Sequence, residues 1–450
     1  MNKTVVIDVV GLSSSLIGEH TPFLKSYIEK KNLRTIEPML PALTTSVQST
    51  YVTGQWPAEN GIVGNGWYDR EDCEIKFWKQ SNKLVQGEKI WDAAKKIDPT
   101  FTCAKMFWWY NMYSSADYAV TPRPNYLADG RKLPDCYSHP ADLRDLLQLE
   151  LGQFPLFQFW GPGANIKSTK WIADASIITD NKYDPTLSLI YLPHLDYCLQ
   201  KFGPDFSKIS KELNEIDQVV ASLVNHFENK NARIVILSEY GIAPVNHPIH
   251  INRLLREKGL LAIREERGLE LLDPGASKAF AVADHQLAHI YINDKSVTEQ
   301  VKKLLENVSG IELVLDKYAQ KEYHIDHERA GDFVVMADDK SWFTYYFWND
   351  DALAPDYARV VDIHKKPGYD PIEMFMTSKL RAGYKLLRKK AGFRYVMDVI
   401  PLDATLLKGS HGKINTPSEY HPVIITNTAP SATTIQATDV RQMIWNELTK

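Results

Sequence analysis

Short apolar runs rich in β-branched residues recur along this chain, and stretches with helical periodicity lie between many of them. The runs are Thr4–Val10, Phe154–Trp160, Leu187–Leu192, Arg233–Leu237, Ala288–Ile292, Asp332–Met336 and Val423–Thr426. Their composition reads as buried strands. Helical patterns cover Pro22–Lys30, Ala141–Glu150, Phe206–Glu228, Ile251–Lys258 and Thr298–Asn307, and a Thr/Asp start opens a last one over Thr438–Leu448. Buried strands need helices packed over them. The alternation therefore predicts an α/β chain with a mainly parallel sheet covered by helices.

At 450 residues the chain has room for about three units or one large α/β domain with insertions. We read residues 1–450 as one domain. Hydrophobic residues at 44% and charged residues at 24% exclude extensive disorder. The 52 basic and 56 acidic side chains leave a formal charge of −4, which argues against a nucleic-acid polymer as partner. Cys73, Cys103, Cys136 and Cys198 lie far apart with no CxxC pair, so neither a zinc ribbon nor a disulfide scaffold is expected. No apolar run reaches the roughly 18 residues of a membrane span. The opening MNKTVVIDVVGL is interrupted by Asp8 and lacks a small-residue cleavage site, which makes it a first strand and the cytoplasm the expected location. Oligomeric state is not readable.

Two stretches depart from the alternation. Asn65–His139 is rich in Trp, Tyr, Pro and Arg, and Asn349–Arg394 joins a loop (DIHKKPGYDP) to a basic helical half. Both read as insertions facing substrate, because loops on a rigid sheet carry contacts to ligands. Within the first, Arg123 stands between Pro122 and Pro124, which restrict the backbone and aim the guanidinium at a phosphate or carboxylate. The basic half of the second is either a solvated helix face or an anion site.

Three acids share a position type. Asp8 lies near the end of the first run, Asp196 follows Leu187–Leu192, and Glu239 follows Arg233–Leu237. Ligands collect at the carboxyl ends of strands in open α/β sheets. Three carboxylates converging there repel one another unless cations lie between them, so a divalent metal site is the economical reading; the competing one is that each acid caps a helix. Thr44 stands at the start of a helix that ends near Gly54, where amides and the helix dipole favour negative charge. It reads as a nucleophile, or as an N-cap. Near the C-terminus, GSHG places His411 between glycines, a setting that suits a metal-ligating imidazole.

The order of these pieces resembles the alkaline phosphatase superfamily, in particular its type I phosphodiesterase and nucleotide pyrophosphatase branch. The resemblance rests on Asp8 in a first strand, the segment ending VTGQWPAENGIVGN, YLPHLDYCLQKFGP, SEYG and GSHG, in that order. It implies a three-layer αβα sandwich. It implies two divalent ions (Zn, Mn or Mg), one on Asp8, Thr44 and Glu239, the other on Asp196 and His411. Departures accompany it: Glu239 and Tyr240 stand where Asp and His are usual, Gln200 stands where His is usual, and Val47 replaces an oxyanion-binding Asn, with Gln48 available in its stead. Oxygen donors in place of imidazoles favour Mg or Mn. His194, His364, His285 and His250 are the histidines available to compensate.

The expectation is thus a metal-dependent hydrolase of small phosphoesters, a phosphodiesterase or nucleotide pyrophosphatase with Thr44 as nucleophile. The alternatives are a phosphonate hydrolase or phosphomutase on the same scaffold, or a binding protein that has lost its metals through Tyr240 and Gln200.

Overall fold

The computed structural model describes residues 1–428 and 432–450. Its centre is a nine-stranded sheet. In chain order the strands are β1 (Thr4–Val9), β2 (Asn32–Ile36), β3 (Cys103–Met106), β4 (Tyr118–Pro122), β5 (Cys136–His139), β6 (Leu187–Leu192), β7 (Arg233–Leu237), β12 (Val423–Thr426) and β13 (Thr434–Ile435). In space the order is β13-β2-β12-β7-β1-β6-β3-β4-β5. The block β7-β1-β6-β3-β4 is parallel throughout, while β12 and β5 run antiparallel to their neighbours.

Side-chain parity in β1 shows why helices cover both faces. Val5, Ile7 and Val9 pack into one core together with Ile190, Ile234 and Ile236; Val6 packs into the other with Leu187, Leu189, Val235 and Leu237. The first core is roofed by α3 (Ala141–Leu151), α4 (Ile166–Tyr183) and α6 (Phe206–Glu228), the second by α1 (Thr44–Thr53), α2 (Ile90–Ile97) and α8 (Asp439–Thr449). This is the expected three-layer sandwich. Asp8 shares the parity of Val6 and so faces the α1 side.

A second sheet of four antiparallel strands stands apart, in the order β8 (Ala279–Asp284), β9 (Leu287–Ile292), β11 (Phe333–Ala337) and β10 (Ile311–Leu315). Two of the expected buried strands belong to it and not to the central sheet. The run Phe154–Trp160 is not a strand: it holds a 3₁₀ turn at Leu156–Gln158. Pro155 has no N–H to give a ladder, and Phe154 instead packs on Phe107, Phe159 and Trp171.

The stretch Asn65–His139 is only partly an excursion, because it supplies β3, β4, β5 and α2 to the sandwich. Its hairpins Gly66–Asp69/Glu74–Phe77 and Asn125–Tyr126/Lys132–Leu133 leave the sheet. Asn349–Arg394 does leave the layers. Its loop half is pinned by the buried Lys366 ammonium, 2.7 Å from both Asp370 and Glu373. Its basic half is α7 (Lys379–Lys390), which buries no residue.

Candidate active site

The parallel strands deliver the three acids to one end of the sheet. Asp8 is the fifth residue of β1 and registers with Tyr191 of β6 and Leu237 of β7. Glu239 lies two residues past β7. Asp196 lies in the first turn of α5 (His194–Phe202), which opens directly after β6 and Pro193. Thr44 is the first residue of α1, which closes at Gly54 in the left-handed conformation (φ 70°). The glycines of GSHG let that strand approach α5 closely: a Cβ on Gly409 would overlap the Leu199 carbonyl oxygen. His411 is thereby held with its Nε2 3.7 Å from Asp196 Oδ1, while its Nδ1 donates to the Ala42 carbonyl at 2.7 Å.

Two buried hydrogen-bonded groups result. In the first, the Gln48 side-chain NH2 donates to Glu239 Oε1 at 2.5 Å and, at 3.4 Å, to Asp8 Oδ2. The Gln48 oxygen accepts the Trp109 main-chain N–H at 2.7 Å, which fixes the amide with its donors toward the acids. In the second, Thr44 Oγ1 lies 2.9 Å from the Tyr240 hydroxyl, which donates on to Asp196 Oδ1 at 3.4 Å. Gln200 donates to Asp196 Oδ2 at 2.9 Å and accepts the Tyr369 hydroxyl at 3.0 Å.

Desolvation raises Asp196 to about 7 and lifts Asp8 and Glu239 as well, the latter further through the charge of Asp8. The same burial drives Tyr240 upward and His411 well below the usual imidazole range, so both are neutral.

Four rings stack in a column: Tyr240, His411, His285 and Tyr369, with successive centroids 3.6, 3.8 and 3.7 Å apart. His285 occupies the two-residue turn between β8 and β9 and is itself left-handed (φ 60°), a strained choice for a residue other than glycine. Its Nδ1 bonds to Asp284 at 2.8 Å, and its buried Nε2 has no partner. The sequence signal for it was the Asp–His pair in ADHQLAH ahead of the run Ala288–Ile292. The pair marks a hairpin turn; the sequence offers His285 only as one of four histidines available to compensate, and the turn is what puts it in the cleft.

Above these groups opens a cleft of about 1810 Å3. Thr44, Asp196, Tyr240, His285 and Tyr369 line it together with Tyr191 and Tyr197. Trp78, Trp109 and Trp160 form aromatic walls, and Arg131, Lys132, Lys385, Arg388, Lys389 and Arg394 give it a basic rim.

Not every expected residue joins. Arg123 is exposed and contacts Met112 Sδ at 3.5 Å. Its neighbours Pro122 and Pro124 line the cleft, while Arg123, in the two-residue link after β4, does not. His194 is buried on the far side of α5, 3.5 Å from Glu215, with its imidazole pushed down to about 4 by burial. His364 lines the cleft, with Nδ1 3.4 Å from the Phe77 carbonyl oxygen. His250 bonds to Thr344 at 2.8 Å.

The donors do not fit the two-ion arrangement that the resemblance implies. Atoms a cation would use are left buried and unpartnered at Asp8 Oδ1, Glu239 Oε2 and His411 Nε2. They belong to two separate groups, Asp8 and Glu239 with the Thr44 hydroxyl beside Glu239, and Asp196 with His411, and a protein ion site wants about three free donors. Among the described residues no three His, Cys, Asp or Glu side chains converge on one point. The residues in the third positions are already committed: Gln200 turns its carbonyl to Tyr369, Tyr240 bridges Thr44 and Asp196, and the Gln48 amide donors occupy the gap between Asp8 and Glu239.

The family described as type I phosphodiesterase / nucleotide pyrophosphatase matches residues 4–370. An uncharacterised pyrophosphatase/phosphodiesterase of Schizosaccharomyces pombe is 26% identical over 266 residues, 56% of this chain and 47% of that protein. Ectonucleotide pyrophosphatase/phosphodiesterase 1 of Saccharomyces cerevisiae is 26% identical over 282 residues, covering 55% and 35%. The chain thus spans less than half the length of these curated relatives. Among solved structures, phosphonoacetate hydrolase of Sinorhizobium meliloti bound to phosphonoformate superposes with a TM-score of 0.63 at 15% identity, covering 100% of this chain and 96% of that one. Murine ectonucleotide pyrophosphatase/phosphodiesterase 5 in complex with AMP gives 0.60 at 14%, covering 100% and 95%. Fold, strand-end acids and the span of the family match agree: the chain belongs to the type I phosphodiesterase / nucleotide pyrophosphatase family of the alkaline phosphatase superfamily.

Proposed function

We propose that this chain hydrolyses small phosphoesters, with Thr44 as the nucleophile. One observation carries the reading: the Thr44 hydroxyl, at the N-terminal end of α1 and in the cleft, opens a hydrogen-bonded line through Tyr240 to Asp196. Tyr240 gives its proton to Asp196, so it accepts that of Thr44. As Thr44 Oγ1 attacks phosphorus in line, its proton passes to Tyr240 and the Tyr240 proton to Asp196, which burial makes ready to take one. The bond from phosphorus to the leaving oxygen breaks, and that oxygen collects a proton as it departs. Water then attacks phosphorus and the bond from Thr44 Oγ1 to phosphorus breaks; Thr44 recovers its proton from Tyr240, which takes back the one held by Asp196, and His285, oriented by Asp284, is the base placed in the cleft for the water proton, which it passes on to solvent. Helix dipole and basic rim favour the charge on phosphorus.

The aromatic walls suit an ester with a flat or apolar leaving group. A nucleotide diester and an aryl diester both qualify, and the phosphonoacetate hydrolase likeness keeps phosphonates as a second class. Divalent ions were expected from the resemblance. Since the groups that would complete each donor set are hydrogen-bonded elsewhere, no step is assigned to the ions.

Thr44→Ala tests the reading. With bis(p-nitrophenyl) phosphate and nucleotide substrates, turnover falls to background while the fold, followed by circular dichroism, is kept. Wild-type rates in the variant would remove Thr44 from the chemistry. A second reading, a binding protein without turnover, is favoured by the capping of both acid pairs by glutamine amides. Tight binding of a phosphoester with no product, under any added ion, would establish it.

A further inference from the structure

Helix α7 and the residues after it carry seven basic and no acidic side chains between Lys379 and Val396, in a chain whose formal charge is −4. Large apolar side chains in the same stretch are left open: Leu380 is 88% exposed, Leu387 67%, Phe393 61% and Tyr384 58%. A monomeric soluble surface rarely leaves such a cluster uncovered.

The arrangement around the helix is ordered. Ala382, Lys385, Leu386 and Lys389 form the face that lines the cleft, with Arg388 at its edge and Phe393, beyond the helix, also on the cleft. Leu380, Tyr384 and Leu387, spaced i, i+4 and i+7, form the face opposite. The wheel places Arg388 on one flank of that outer stripe and Lys379 and Lys390 on the other. Arg388 lies 6.0 Å from the centroid of the Tyr384 ring and 5.8 Å from that of Phe393, and Lys389 lies 5.6 Å from that of Tyr395. Cations folded back along apolar side chains can hold those side chains in a hydrocarbon layer while their heads stay at a charged surface.

We propose that α7 docks on an anionic lipid bilayer. It would lie in the interface plane, with Leu380, Tyr384 and Leu387 in the acyl boundary and the lysines and arginines among the headgroups. An apolar stripe with basic flanks on both sides is the pattern such helices need. The charge selects the occupant. Asp398 pairs with Arg381 and Lys385, and the remaining five cations of a second copy would still meet five like charges, whereas an anionic bilayer neutralises them. No described helix is long and apolar enough to cross a membrane, so the contact is peripheral. Because the other face of α7 lines the cleft, docking sets the cleft mouth beside the lipid surface.

The test uses the full chain and sedimentation with large unilamellar vesicles, of phosphatidylcholine alone or with a quarter phosphatidylglycerol. The chain should sediment with the anionic vesicles, not with the neutral ones, and be released by salt. The double variant Leu380→Ser/Leu387→Ser should bind about tenfold less, and Lys379→Gln/Lys390→Gln should weaken the salt dependence. Neither pair lines the cleft, so both variants keep the wild-type rate or affinity toward a soluble phosphoester. That control separates this proposal from the reading of Thr44. No association with either vesicle, or undiminished association of the leucine variant, overturns it. So does capture of an acidic protein through α7 by a chain that ignores lipid.

Discussion

The main-chain N–H of Trp109 donates to the side-chain oxygen of Gln48 at 2.7 Å, and that bond decides what the neighbouring acids meet. It turns the amide donors to Glu239 and Asp8, where a cation would otherwise have to sit. The donor count then makes a prediction. Tyr240→His/Gln200→His returns an imidazole to each acid pair and should take up Zn or Mn more tightly than the wild type, read by inductively coupled plasma analysis after dialysis and by titration calorimetry. A wild-type chain that already holds two ions would defeat this argument.

Tyr240→Phe removes the middle of the proposed proton line and leaves the stack on His411 intact. Turnover should fall about 10²–10⁴-fold, the usual size of a general acid–base contribution. The melting temperature should move little, since a lost hydroxyl contact costs about 1 kcal/mol. An unchanged rate would take Tyr240 out of the proton path.

Asp196 makes stability depend on pH. Its carboxyl ionises near 3.8 when unfolded and near 7 when folded, because burial penalises the charge. Between those values the folded state holds a proton that the unfolded state has released, so this group destabilises the fold progressively as pH rises from about 4 to 7. Asp196→Asn lacks the penalty. Denaturant midpoints of variant minus wild type should grow across that window and level off above it; a flat difference would refute the assignment.

Lys366 should be intolerant of neutralisation. Lys366→Met leaves Asp370 and Glu373 buried without their cation, and the loss of one partner from such a cluster costs about 3–5 kcal/mol. Chemical denaturation measures it. Because this cluster anchors the segment that leads into α7, protease cleavage between residues 349 and 394 should accelerate as well.

Legibility followed locality. Strands β1, β6 and β7 are readable because buried parallel strands are continuous apolar runs, as is the antiparallel but equally buried β12, and the three strand-end acids follow from the first three. Strands β3, β4 and β5, the last of them at the sheet edge, are not, since Lys105 and Pro122 interrupt their pattern, and their stretch reads as an insertion. Asp8, Asp196, Glu239, Thr44 and His411, which the sequence offers as one candidate set, lie together at one end of the sheet. The metal triads were not legible as failures, because the commitments of Gln48, Gln200 and Tyr240 depend on partners 61 to 196 residues away. His285 reaches the cleft only through the turn of a second sheet, a placement with no signature in the sequence near the other acids.

That turn also makes the cleft a gauge of register. In a two-residue hairpin, side chains alternate, so slipping β8 against β9 by one position would withdraw the His285 imidazole and swing Gln286 into its place. The column of four rings would lose its third member, and Tyr369 its neighbour. The two sheets are thereby keyed to each other as a lock is keyed by its pins: correct pairing in the smaller sheet is read out as an aligned ring in the larger one's cleft. Mispaired chains would carry every residue of the site and still present the wrong one.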